Sequence, residues 1–99
     1  MKRNRQWATV TQSEYEIREI NTDGDAYNVD HFATKEDALS VAQARLASDP
    51  NTVAVVVEHC TSHYDEHGDR READYTTVAT FGDEAALLAG GWIEQGGAR

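Results

Sequence analysis

The chain has 99 residues, a net charge of −9, 39% apolar residues, one proline and one cysteine. That length makes one small domain over residues 1–99, able to bury roughly 60–70% of its unfolded surface. A single cysteine excludes an intrachain disulfide and fits a reducing compartment, and no run of 18 apolar residues is present to read as a membrane span.

The charge is unevenly placed. Lys2, Arg3 and Arg5 supply three of the nine basic residues, whereas Gln6 to Ala98 carries 18 acidic against five basic side chains. A body with that surplus of negative charge associates quickly with basic surfaces and repels nucleic acid and anionic membrane. No apolar run follows the basic residues 1–6, so no secretory signal is expected and the protein reads as cytoplasmic. Residues 1–6 and 95–99 read as flexible ends.

Ser13 to Ile20 opens as a strand, with Tyr15 and Ile17 on one face and Glu14, Glu16 and Arg18 on the other. Trp7 to Thr11 has strand composition as well, so the strand can begin earlier. Thr22-Asp23-Gly24-Asp25 is a turn signal, since Asp-Gly supplies the positive φ of a tight hairpin. Ala26 to Phe32 returns as a second strand, with Tyr27, Val29 and His31 on one face. Thr34 then reads as the N-cap of a helix over Lys35–Ser48, with Glu36 and Asp37 in the first turn. Ala38, Leu39, Ala42 and Leu46 recur on one side of it, and Asp49-Pro50 ends it. Val53 to Val57 is apolar on both faces and reads as a central strand, continuing to Tyr64. Asp65 to Ala73 is a polar loop, and Asp74 to Phe81 a fourth strand. Asp83 caps a short helix that Gly90-Gly91 stops, after which Trp92 and Ile93 fold back on the core. The order predicts an α+β fold, a four-stranded antiparallel-rich sheet with both helices on one face. The other face is then open for docking.

Residues 59–67, His-Cys-Thr-Ser-His-Tyr-Asp-Glu-His, have the residue types of a zinc site. On a strand, however, His59 and His63 lie about 13 Å apart on one face while Cys60 points to the other. Only a bend, or ligands from His31 or a second chain, would gather them, so no metal and no cofactor is expected. If these histidines sat together, titrating between about pH 5 and 8, they would modulate binding. Glu19, Asn21, Asp23, Gly24 and Asp30 are spaced like a calcium loop, but Glu and Asp are interchanged at its ends and the flanks alternate as strands, so the hairpin is preferred. Ser13, Ser40, Ser48 and Ser62 lack a glycine-flanked elbow, and Cys60 faces away from its histidine neighbours. No glycine loop cradles phosphate. Arg70-Arg71 is locally neutralised by Asp69 and Glu72. No catalytic residue is named, and a non-enzymatic protein is expected.

In length, acidity and ββαββ order the chain resembles small phage- or mobile-element-encoded inhibitors of host defence, anti-CRISPR proteins among them. The resemblance covers no motif and transfers no residue. It implies a binder that blocks a nucleic-acid enzyme by filling a basic channel with carboxylates spaced like phosphates, a DNA mimic. The residues expected to carry binding are the solvent-facing strand acids Glu14 and Glu16 and the loop acids Asp65, Glu66 and Asp69. The expected partner is a basic protein surface, with no direct nucleic acid and no membrane. An accessory domain that homodimerises through its open sheet face is the other reading, and a metal- or ligand-dependent enzyme a third.

Overall fold

The computed structural model describes residues 10–94. The flexible ends expected at 1–6 and 95–99, and a strand start at Trp7, lie outside the described residues. Within them the elements are β1 (Val10–Ile20), β2 (Ala26–Phe32), α1 (Lys35–Ser48), β3 (Ala54–Tyr64), β4 (Arg70–Gly82) and α2 (Glu84–Ala89). One antiparallel sheet has the order β2-β1-β3-β4, an α+β fold as the element order predicts. Two hairpins lie side by side, and α1 joins them by crossing over β1. The Val53–Val57 run enters β3, which is interior, paired with β1 on one side and β4 on the other.

Helix α1 begins where expected. Thr34 is extended, and its hydroxyl accepts from the Asp37 N–H at 3.2 Å. Ala38 and Ala42 are small enough to let the helix lie close on Ile17, Val55 and Val57, all fully buried, with Leu39, Leu46, Phe32 and Phe81 around them. Each such buried valine or isoleucine contributes roughly 1.5–3 kcal/mol.

Helix α2 is not on that face. The alternation of β3 sends Val55 and Val57 toward α1 but Ala54 and Val56 the other way, and Ala86 and Leu87 of α2 pack on these with Ile20. The expectation of both helices on one face is therefore corrected. Chain geometry decides it. β4 ends at Gly82, whose φ of 102° turns the chain across the start of β3, where Asp83 N–H donates to Val53 O at 2.9 Å. Trp92 and Ile93 fold onto the α2 cluster, and the Trp92 indole N–H donates to Gly24 O at 2.9 Å. This close approach needs glycine: a Cβ at Gly24 would sit 2.6 Å from Gly90 N. The face opposite α1 is thus covered at one end by α2, not open throughout.

The strands outrun the helices. Eleven residues of β1 or β3 span about 36 Å at about 3.3 Å each. The 14 residues of α1 span only about 21 Å. Strand β4 also starts earlier than expected, at Arg70, because Tyr64↔Arg70 through Ser62↔Ala73 pair with β3. The loop shrinks to residues 65–69, and the β3–β4 hairpin carries its acids far from both helices.

Candidate functional site

Both hairpins turn in the same way. In the first, Asn21 Oδ1 accepts from the backbone N–H groups of Asp23 and Asp25 at 2.9 and 3.0 Å, and Gly24 has φ 88°. In the second, Asp65 Oδ1 accepts from His67 and Asp69 at 2.9 and 3.0 Å, and Gly68 has φ 81°. The common pattern is Asx-x-x-Gly-Asp, a short polar side chain standing in for a backbone acceptor, with glycine at the left-handed position. It is visible in the sequence once residues 21–25 and 65–69 are aligned. A reading of Asp-Gly alone misses the second copy.

Asp65 is therefore a turn residue, half-buried and engaged. The N–H groups of Asp69 and His67, with Arg71 Nη1 at 3.7 Å, hold its carboxyl below the usual range. Stabilisation from a depressed carboxyl is present above its unfolded pKa and lost as pH falls through its folded pKa. The wild type is thus expected to lose hairpin stability below about pH 4. Asp65→Asn, which copies the first turn, should keep the fold and remove this component. Melting temperatures of the two proteins between pH 2 and 6 check it: identical acid slopes would mean the turn does not use the charged form.

The other expected binding residues fare differently. Glu66 and Asp69 are exposed at the hairpin tip, with Glu72 and Asp74 exposed behind them on β4. Glu14 is half-exposed and its Oε2 lies 2.8 Å from His31 Nδ1. Glu16 is buried, at 4% exposure, which corrects its reading as solvent-facing. The reason is position: β1 is interior, so its polar face is walled by side chains from β2 and β3. Arg18 occupies the middle of that face, donating to Glu16 Oε1 and Glu58 Oε1 at 2.8 Å each. Its guanidinium lies 5.6 Å from the Tyr75 ring centre and 6.0 Å from that of Trp92.

On the α1 side, Glu19 is 1% exposed and satisfied by three donors: Asn28 Nδ2 at 2.6 Å, Arg45 Nη1 at 2.7 Å and Thr52 Oγ1 at 2.7 Å. Arg45 Nη2 also meets Asp30 at 2.7 Å. Residues with calcium-loop spacing are thus spent on an ion pair and a turn. His59 stacks on Tyr15 at 4.8 Å and contacts the Ser13 hydroxyl, while His63 lies between Thr11 and Asp74. Cys60 is fully buried on the opposite face, with Arg70 Nη2 at 3.8 Å from its sulfur. Among the described residues, His and acid side chains gather in two places: Glu14, Glu16 and His31, and His63, Glu72 and Asp74. His31 joins the first through the β1–β2 register, in which it stands directly opposite Glu16.

No family model, curated protein or solved structure matches the chain. No helix among the described residues is long and apolar enough to cross a membrane.

Proposed function

We propose that this chain is a non-enzymatic acidic binding protein that docks on a basic protein surface through the far end of its β3–β4 hairpin. The surface is of the kind that otherwise holds nucleic acid, so the protein acts as an inhibitor of a nucleic-acid or host-defence enzyme. The supporting observation is how the positive charges are spent. Of the five basic residues in the described chain, Lys35 is exposed at the start of α1, and Arg18 and Arg45 are each held between two carboxylates. Arg71 lies against Asp65, and Arg70 is turned onto Tyr75 and Cys60. Glu66, Asp69, Glu72 and Asp74 remain exposed at one end of the molecule, where they present a negative surface to an incoming partner.

The test is Glu66→Lys/Asp69→Lys. Neither side chain supports the core, and Asp65 keeps the turn. The partner is first captured from lysate and identified, and its binding kinetics are then measured at low and physiological salt. Association by the double mutant is expected to slow on the order of tenfold at low salt, with less difference at high salt and no change in melting temperature. Equal association rates at both salts would remove charge as the mechanism. The self-associating alternative draws support from β4, an edge strand with Tyr75 and Val78 exposed. A monomer in sedimentation at high concentration disposes of it.

A further inference from the structure

We infer that Glu14, Glu16 and His31 form a site for one divalent transition-metal ion, of the zinc class, on the sheet face opposite α1. The backbone places the ligands. Glu14 and Glu16 are two residues apart on β1 and share a face, and His31 of β2 is the direct cross-strand partner of Glu16. His31 Nδ1 already stands at coordination-sphere separation from one oxygen of each glutamate, and the three ligand atoms lie within 4.8 Å of one another. His31 Nδ1 is 2.8 Å from Glu14 Oε2 and 3.4 Å from Glu16 Oε2. Two ligands each about 2.0–2.1 Å from a metal lie about 2.9 Å apart in octahedral and about 3.3 Å apart in tetrahedral geometry. One imidazole and two carboxylates suit a borderline cation better than a purely oxygen-seeking one.

Two further observations favour a cation at this place. Glu16 is more than nine-tenths buried, and only its Oε1 is bonded, to Arg18. No hydrogen bond reaches Glu16 Oε2 among the described residues, and that oxygen faces His31 across 3.4 Å. A buried carboxylate oxygen whose nearest donor stands this far away is poorly satisfied, which is costly. The charge around it is also unbalanced: Arg18 pairs with both Glu16 and Glu58, while Glu14 meets only His31. A divalent ion at Oε2 would satisfy the oxygen and offset the surplus. Arg18 on the other oxygen would hold the Glu16 ligand in place, as outer partners do at metal sites. Glu14 and His31 are about half exposed, at 44% and 53%, which leaves the ion an entry path and room for water ligands.

The test uses the full chain after chelator treatment, titrated with zinc chloride in a calorimeter. One ion per chain is expected, with a rise in melting temperature on saturation. Affinity should fall at least tenfold in His31→Ala and in Glu14→Gln, both surface changes expected to leave the metal-free melting temperature near wild type. His63→Ala, in the second cluster, should bind as wild type does. The 15N shift of His31 Nδ1 should move on zinc addition, a signature that a merely structural His31 would not give. Absence of saturable binding, wild-type affinity in both His31→Ala and Glu14→Gln, or loss of binding in His63→Ala alone would each overturn the assignment.

Discussion

Val55→Asp and Val56→Asp are each expected to unfold the domain. The two positions are adjacent in β3 and both fully buried, yet they face different partners. Val55 packs with Ile17, Ala38 and Ala42 under α1, and Val56 with Ile20, Ala54 and Leu87 under α2. Across from Val55 stands Glu19, itself a carboxylate, and across from Val56 stands Arg18, already held by Glu16 and Glu58, so neither aspartate gains a free cation. An unpaired buried carboxylate costs several kcal/mol, and a domain of this size holds only about 5–15 kcal/mol in all. Far-ultraviolet circular dichroism and urea titration of both variants measure the loss. The pair also tests the two-sided arrangement. A Val56→Asp protein with the wild-type urea midpoint would mean that α2 does not seal its face, and a stable Val55→Asp protein would contradict the α1 cluster.

Arg45→Ala is the second large effect, about 3 kcal/mol or more of lost stability. The arginine itself is one-third exposed, so its own attraction to Asp30 is screened and contributes little. The cost comes from Glu19, which at 1% exposure would keep only the neutral donors Asn28 and Thr52. Breaking a buried pair from one side leaves a charge in a poor solvent. Replacing both sides leaves none. Glu19→Leu/Arg45→Leu is accordingly expected to recover most of the stability lost in Arg45→Ala. Chemical denaturation of the single and double variants decides it. A loss under about 1 kcal/mol in Arg45→Ala would show that Glu19 is solvated after all.

The site was less legible than the fold, for a local reason. Glu14 and Glu16 alternate with Tyr15 and Ile17, which is enough to set them on the polar face of a strand. It does not reveal that β1 has neighbours on both sides, and that is what buries Glu16 while Glu14 stays half-exposed. His31 lies 15 residues from Glu16 in the chain and meets it only through strand register. The metal-type residues that are neighbours in sequence along β3, His59, Cys60 and His63, therefore do not share one face, whereas the set that converges is drawn from two strands. Asp65 reads as one more loop acid until its carboxylate is seen capping two backbone N–H groups.

What the sequence by itself determined were the local features: the strand periods, the Thr34 cap, the helix end at Asp49-Pro50, the interior place of Val53–Val57 and the acidity of the body. Each follows from backbone preference or side-chain alternation over a few neighbouring residues. The run Val53–Val57 is apolar at every position, which sets it in an interior strand, yet the element order alone put both helices on one face and left the other open. Which element covers which face was decided only in three dimensions, by the turn at Gly82 and the anchoring of Trp92 on Gly24. The same holds for the pairing of Glu19 with Arg45 and of Glu16 with His31. Register and chain direction set these contacts, and neither is encoded within the span of a single element.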